Sequence, residues 1–226
     1  RNIVIGPCDA SEIHGERPMS RLIILGGGGH GRVVADTARR TGRWEHILFL
    51  DDAPDRTRAE SDFAVLGTCK EFDQVLRPGD ECFVAIGDNG QRRAMLDQVE
   101  QHAVPLAVIV DPSASVSVDA SLGPGTVILP QCAVNIGATL GRGCIVNTGA
   151  TVDHDCRLGD CIHVAPGAHL GGDVTVGDLS WIGIGASIRH GIRVGARVMI
   201  GAGAAVVSNV VTGSTVVGVP ARPLES

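Results

Sequence analysis

Two stretches of the chain carry residue types whose spacing suits chemistry. In "RLIILGGGGHGRVVADTARR", residues 21–40, Gly26, Gly28 and Gly31 form G-x-G-x-x-G behind an apolar run, and Asp51 follows at about the distance of an acidic residue that holds a ribose. Glycines there let the backbone approach a diphosphate, and the helix that follows points its first N–H groups at the anion. In "VDHDC", His154 is followed at once by Asp155. An imidazole titrates near neutrality, and a neighbouring carboxylate orients the ring and favours its charged form, as a general base requires. The first stretch asks whether this is a nicotinamide enzyme. The second asks what proton the base would remove.

Both answers depend on the elements that hold these residues. The chain has 226 residues and a formal charge of −6, with plentiful glycine and valine, few aromatics and no tyrosine. A core of small and β-branched side chains favours extended, tightly wound strands. No Lys/Arg-rich run is present, which speaks against a nucleic-acid or anionic-membrane surface. Cys8, Cys69, Cys82, Cys132, Cys144, Cys156 and Cys161 are odd in number and lack C-x-x-C spacing, so reduced thiols in a cytoplasm are expected rather than disulfides or a zinc knuckle. No stretch reaches the roughly 18 uninterrupted apolar residues of a membrane span, and residues 1–18 lack a signal-peptide core. Those residues read as an extension or expression remnant before a start near Met19.

From 19 to 105 apolar runs alternate with helical patterns: "RLIIL", a helix over about 31–41, "HILFL", a short helix near "CKEFDQVL", "CFVAI" and a helix in "NGQRRAMLDQVEQH". This is the rhythm of a small Rossmann-like parallel α/β domain. A dinucleotide needs two mononucleotide-binding halves, and this segment has room for about one.

From 106 to 226 the period is six. Every sixth residue from Val110 to Val206 is Val, Leu or Ile, without one failure. At a chance of about one in three per position, so long a run is expected on the order of once in 10⁸ trials. The residue four further on is usually small, as at Ala114, Ala120, Cys132, Ala138, Cys144, Ala150, Cys156, Ala168, Ala186 and Ala204. Two inward columns of this kind specify a parallel β-helix, three hexads to a triangular coil. His154 lies two residues beyond the inward Val152 and so projects outward, whereas Cys156 points inward and is a poor candidate for a covalent nucleophile.

With "GVPARP" at 218–223, this half closely resembles the left-handed β-helix acyltransferases; the handedness is implied by the resemblance, since a hexapeptide period does not fix it. "GGGGHGRVVAD", "LFLDD", "AIGDNGQRR" and "NTGATVDHDCRLGDCIHVAPGA", in this order, narrow the match to the sialic-acid O-acetyltransferase and bacillosamine-pathway N-acetyltransferase group. The resemblance spans the chain from Met19 onward. It implies acetyl-CoA as cosubstrate, no metal, a nucleotide-sugar substrate and a homotrimer with sites between subunits. The expected reaction is N-acetylation of a nucleotide-linked 4-amino-4,6-dideoxy sugar of perosamine or bacillosamine-precursor type.

Residue by residue, the resemblance places the catalytic base on His154 and its acidic partner on Asp155, where the family more often has Glu. The glycine loop with Gly28, Gly29 and His30 is implied to meet the diphosphate, Asp51 and Asp52 the base or ribose, and Asn89 and Arg92 the phosphates. Asn147, seven before the base, matches a polar substrate-site residue, and His163, nine after it, a second histidine contacting acetyl-CoA or substrate. Gly172 matches an amide donor to the thioester oxygen. Pantetheine is implied to run past Ile184 and Ala202, with Arg222 on a CoA phosphate.

Three alternatives stay open at this point. One is O-acetylation of a sialic acid by the same base. A γ-carbonic-anhydrase-like zinc protein would use His154 and His190, two coils apart, although Gly195 stands where a third histidine is needed. A non-catalytic trimeric scaffold is the third.

Overall fold

The computed structural model describes residues 20–55, 57 and 62–224; the extension expected over 1–18, and Cys8 with it, lies outside them. The first unit is a parallel sheet of β1 (Arg21–Leu25), β2 (His46–Leu50), β3 (Ala64–Gly67) and β4 (Glu81–Val84), in the order β3-β2-β1-β4. β1 is central and wholly buried, which is why it reads as an unbroken apolar run. α1 (Gly29–Thr41) follows it and turns Val34, Ala35 and Ala38 inward at helical spacing. It begins two residues earlier than the sequence pattern suggests, inside the glycine loop, and stops at Gly42 in the left-handed conformation. α2 (Asn89–Gln101) is capped by Asp88, whose carboxylate accepts from the Gln91 N–H at 2.8 Å.

From Ile109 the chain winds into a parallel β-helix of two-residue strands. Each strand pairs in parallel with the one 18 residues on, so Ile145 lies between Val127 and His163, and His163 next to Trp181. Three sheets result. The first face carries Ile109, Val127, Ile145, His163, Trp181 and Met199; the second Ser115, Ala133, Thr151, His169, Ser187 and Ala205; the third Ser121, Thr139, Arg157, Thr175 and Arg193.

The hexad aliphatics fill the interior and are fully or almost fully buried from Ile128 to Val206. The second inward column has a reason beyond size. Thr126, Cys132, Cys144, Cys156 and Ser180 each give a side-chain hydrogen bond to a carbonyl 15 residues on, those of Gly141, Asn147, Gly159, Gly171 and Gly195, at 2.8–3.2 Å. The buried thiols are thus structural, and burial raises the Cys156 thiol above its ordinary value.

The α/β unit docks on the first face and on the edge between the third and first faces. Arg142 of that edge reaches Asp97 and, at 2.7 Å, Glu100 on α2, as well as Asp160 at 3.4 Å one coil up. Among the described residues no helix is long and apolar enough to cross a membrane.

Candidate active site

His154 and Asp155 sit at the corner between the second and third faces. Asp155 takes the left-handed conformation with φ 60°, and its N–H donates to the Ile136 carbonyl one coil below at 3.1 Å. That turn brings its Oδ2 to 2.8 Å from His154 Nδ1. The backbone under the histidine is also held: Asp153 Oδ1 accepts from the His154 N–H at 2.8 Å and from Asn135 Nδ2 at 2.7 Å. With Nδ1–H given to a carboxylate, the neutral ring carries its lone pair on Nε2. The hydrogen bond that His154 gives to Asp155, followed by the charge of Asp153, lifts the His154 pKa above its ordinary value. Both side chains stay more than half exposed, at 55% and 61%, so the imidazole faces an open edge.

Gly172 lies directly above this ring. A Cβ there would come within 2.4 Å of His154 Nε2, so only glycine leaves the basic nitrogen its place. Its N–H donates to no partner among the described residues.

A second group lies on the first face of the same coils. His163 projects outward from the coil, as its place before Val164 requires, yet it is 5% exposed because the α/β unit covers it. Its ring centroid is 4.1 Å from that of Trp181 and 6.2 Å from that of His30. Asn147 Oδ1 accepts from the Thr148 N–H at 2.8 Å, which turns Asn147 Nδ2 to His163 Nε2 at 3.1 Å and leaves the ring proton on Nδ1. Burial, then the nearby Arg92 charge, pushes His163 down to about 3 and His30 down to about 4. Both are neutral at pH 7. His30 Nε2 is buried without a partner among the described residues.

In the glycine loop the motif separates into two jobs. A Cβ on Gly31 would lie 2.0 Å from the Gly26 carbonyl, so this glycine lets α1 pack on the loop. Gly28 and Gly29 meet nothing within 4 Å, so a side chain at either would project into the open space before α1.

Three expectations need revision. Asp51 does not face outward: it is 7% exposed, and its oxygens accept from the Gly27 N–H at 2.5 Å and the Ala53 N–H at 2.7 Å, tying two loops together. Asp52 beside it stays exposed, with its Oδ1 accepting from the Cys69 N–H at 3.1 Å. Asn89 and Arg92 are withdrawn from any phosphate. Arg92 is fully buried and spends five donors on Ile86, Gly87, Gly143 and Cys161 carbonyls and on Asn89 Oδ1, at 2.6–3.0 Å. Asn89 Nδ2 in turn donates to the Leu179 and Ser180 carbonyls. A positive residue early in a helix looks like an anion site in sequence; here it bolts α2 to the β-helix.

Ile184 and Ala202 stand with Thr148 and Pro166 in the column between the first and second faces, joined by the Gly185–Pro166 and Gly203–Ile184 backbone bonds, and Ile184 is 60% exposed. Arg222 is exposed in the last strand, with Nη1 on the Ala221 carbonyl at 2.8 Å. Trp181, Asp153 and Asn135 were missed in the sequence, although the 18-residue spacing that stacks 163 under 181 and 135 under 153 was available to find them. Among the described residues no group of three or more His, Cys, Asp or Glu is placed to hold a metal ion.

Residues 21–99 match the PglD N-terminal domain. The acetyltransferase domain of PglB from Neisseria gonorrhoeae FA1090, solved in complex with acetyl coenzyme A, is 39% identical with a TM-score of 0.86, over 90% of this chain and 98% of that one. The chain belongs to the hexapeptide-repeat nucleotide-sugar N-acetyltransferases. PerB from Caulobacter crescentus, solved with CoA and GDP-perosamine, is 35% identical with a TM-score of 0.82, over 90% of this chain and 97% of that one. The UDP-N-acetylbacillosamine N-acetyltransferase of Bacillus subtilis (strain 168) is 31% identical over 113 residues, 49% of this chain; the match spans about half, 52%, of that relative's length.

Proposed function

We propose that this member of the family transfers the acetyl group of acetyl-CoA to the amine of a nucleotide-linked 4-amino-4,6-dideoxy sugar, with His154 as general base. The observation that carries this is His154 on an open edge, its Nδ1 held by Asp155 and its Nε2 presented over Gly172. A sugar ammonium must lose a proton before it attacks a thioester, and Nε2 is the lone pair available to take it. The amide of Gly172 would steady the oxyanion as the tetrahedral centre forms.

The nucleotide is assigned to the space before Gly28 and Gly29 at the start of α1. Asn147, half-buried, would contact the ligand with His163 fixing its amide from the coil above. Pantetheine would pass Ile184 and Ala202, and Arg222 would meet a CoA phosphate. The free thiols and the use of acetyl-CoA suit a cytoplasmic setting.

The geometry supports a homotrimer. Within one chain His154 occupies the corner between the second and third faces, whereas His30, Asn147 and His163 belong to the first. One chain turns base and nucleotide loop to different sides, which supports a site completed by the base of a neighbour. PerB solved with CoA and GDP-perosamine supports the substrate class.

Two experiments test this. Acetyl-CoA is offered with UDP-, GDP- and dTDP-linked 4-amino sugars and with sialic acid, and released thiol is followed; turnover on one amino sugar, lost in His154→Ala, is expected. Thiol release only with sialic acid would overturn the assignment of the amine. For the trimer, inactive His154→Ala and Asn147→Ala chains are mixed after dissociation. Recovered activity is expected, and a monomer of full activity in light scattering would contradict it.

A further inference from the structure

The two oxygens of Asp155 have different surroundings. Oδ2 accepts from His154, while Oδ1 lies over Gly137, one coil below, where a Cβ would come within 2.6 Å of it. Gly137 has φ +73°, which by itself would explain a glycine. The column explains more. The residues 18 and 36 further on are Asp155 and Asp173, which hold the same left-handed corner with φ 60° and 56° despite their side chains. The corner therefore accepts an L side chain; what it lacks room for at 137 is a Cβ beneath the Asp155 carboxylate.

We propose that Gly137 is a positioning residue for the base: its bare Cα is the floor that lets the Asp155 carboxylate lie in the plane where it receives His154 Nδ1–H. The kinetic arm of this inference rests on the acetyl-transfer reading; its titration arm does not.

The charged groups facing the ring are Asp153 and Asp155 from its own coil and Asp173 from the coil above, the last also within 3.6 Å of Arg157. Below it stand Ile136 and Asn135, which carry no charge. Lifting Asp155 away from Nδ1 removes the contact that raises His154 most, so the ring should titrate closer to the ordinary imidazole value.

The test compares Gly137→Ala with Gly191→Ala. Gly191 stands in the same column with φ +69° and has nothing within 4 Å of a Cβ, so alanine there adds the backbone strain without touching a carboxylate. Gly137→Asn is made alongside, since asparagine enters the left-handed region more easily than alanine. The His154 imidazole is titrated by NMR in the full-length protein. A lowered pKa in the Gly137 variants, and none in Gly191→Ala, is expected. In turnover, kcat/KM should fall roughly 10- to 100-fold, the order of a displaced catalytic group, and the acid limb of its pH profile should move down. Adding Asp155→Ala to Gly137→Ala should cost little more, because both remove one contact. An unchanged His154 titration in the Gly137 variants overturns the proposal, as does an equal shift in Gly191→Ala. Normal titration shifts with no acetyl transfer would instead count against the proposed function.

Discussion

Replacing Arg92 by methionine tests the claim that this residue is an internal bolt and not an anion site. The substitution keeps the length of the side chain and removes five donors. It orphans the Gly143 and Cys161 carbonyls and Asn89 Oδ1, whose bonds to Arg92 are buried, while Ile86 and Gly87 are partly open and regain some water. A buried acceptor left without a partner costs about 1–3 kcal/mol, so the three together cost about 3–9 kcal/mol. Removing a guanidinium that is buried without a carboxylate against it offsets part of this. A net loss of about 3 kcal/mol corresponds to about 6–12 °C in Tm for a chain of this size. Calorimetry at fixed protein concentration measures it, because assembly makes Tm concentration-dependent. Arg92→Lys, with three donors on a narrower head, should fall between. The reasoning is refuted if Arg92→Met melts within about 2 °C of the parent, or if it raises the KM for nucleotide sugar with no change in Tm.

Further expectations concern the histidines and the loop. Gly172→Ala should lower kcat by about 10²-fold with little change in Tm, because its Cβ takes the place of His154 Nε2; a kcat within twofold of the parent would sink this reading. Since Asp155 raises His154, the free base accumulates only above the ordinary value of 6.5, and Asp155→Asn should move the acid limb of kcat/KM to lower pH while slowing the plateau. His30 and His163 are depressed to about 4 and about 3, so the unfolded chain takes up protons that the folded chain refuses; stability should fall as pH drops below about 6.5, and His163→Gln should flatten that fall in Tm-against-pH measurements. Asp51→Ala should lower Tm and raise KM for the nucleotide sugar several-fold while leaving that for acetyl-CoA unchanged, since the carboxylate ties Gly27 to Ala53; equal loss for both substrates would contradict it.

The β-helix was readable because its core repeats in every hexad. Val152 and Cys156 announce their direction by position alone, and His154 follows from them. The α/β unit was readable from alternation, since each apolar run is a central or flanking strand of one sheet. What stayed hidden was docking. Nothing local in "GDNGQRR" tells whether Arg92 faces a phosphate or a carbonyl, because the same residue early in a helix serves either. His163 reads as a surface residue within its own hexad and is buried by the ring of Trp181 one coil on and by the α/β unit, whose residues stand far earlier in the chain. Asp51 was legible as an acid at a strand end, but its partners are backbone N–H groups of two loops, which carry no sequence signal.

The β-helix repeats on two counts at once. Its interior is indifferent to any shift of six residues, because every hexad offers an aliphatic side chain to the same core. Its edges repeat only after 18, since strand pairing stacks residue on residue at that interval. A six-residue deletion between 154 and 184 would thus keep the interior in register yet turn everything beyond it by one face, carrying Ile184 and Ala202 to another edge. Packing and chemistry are written in different reading frames along one chain, and only changes of a whole coil keep both in phase.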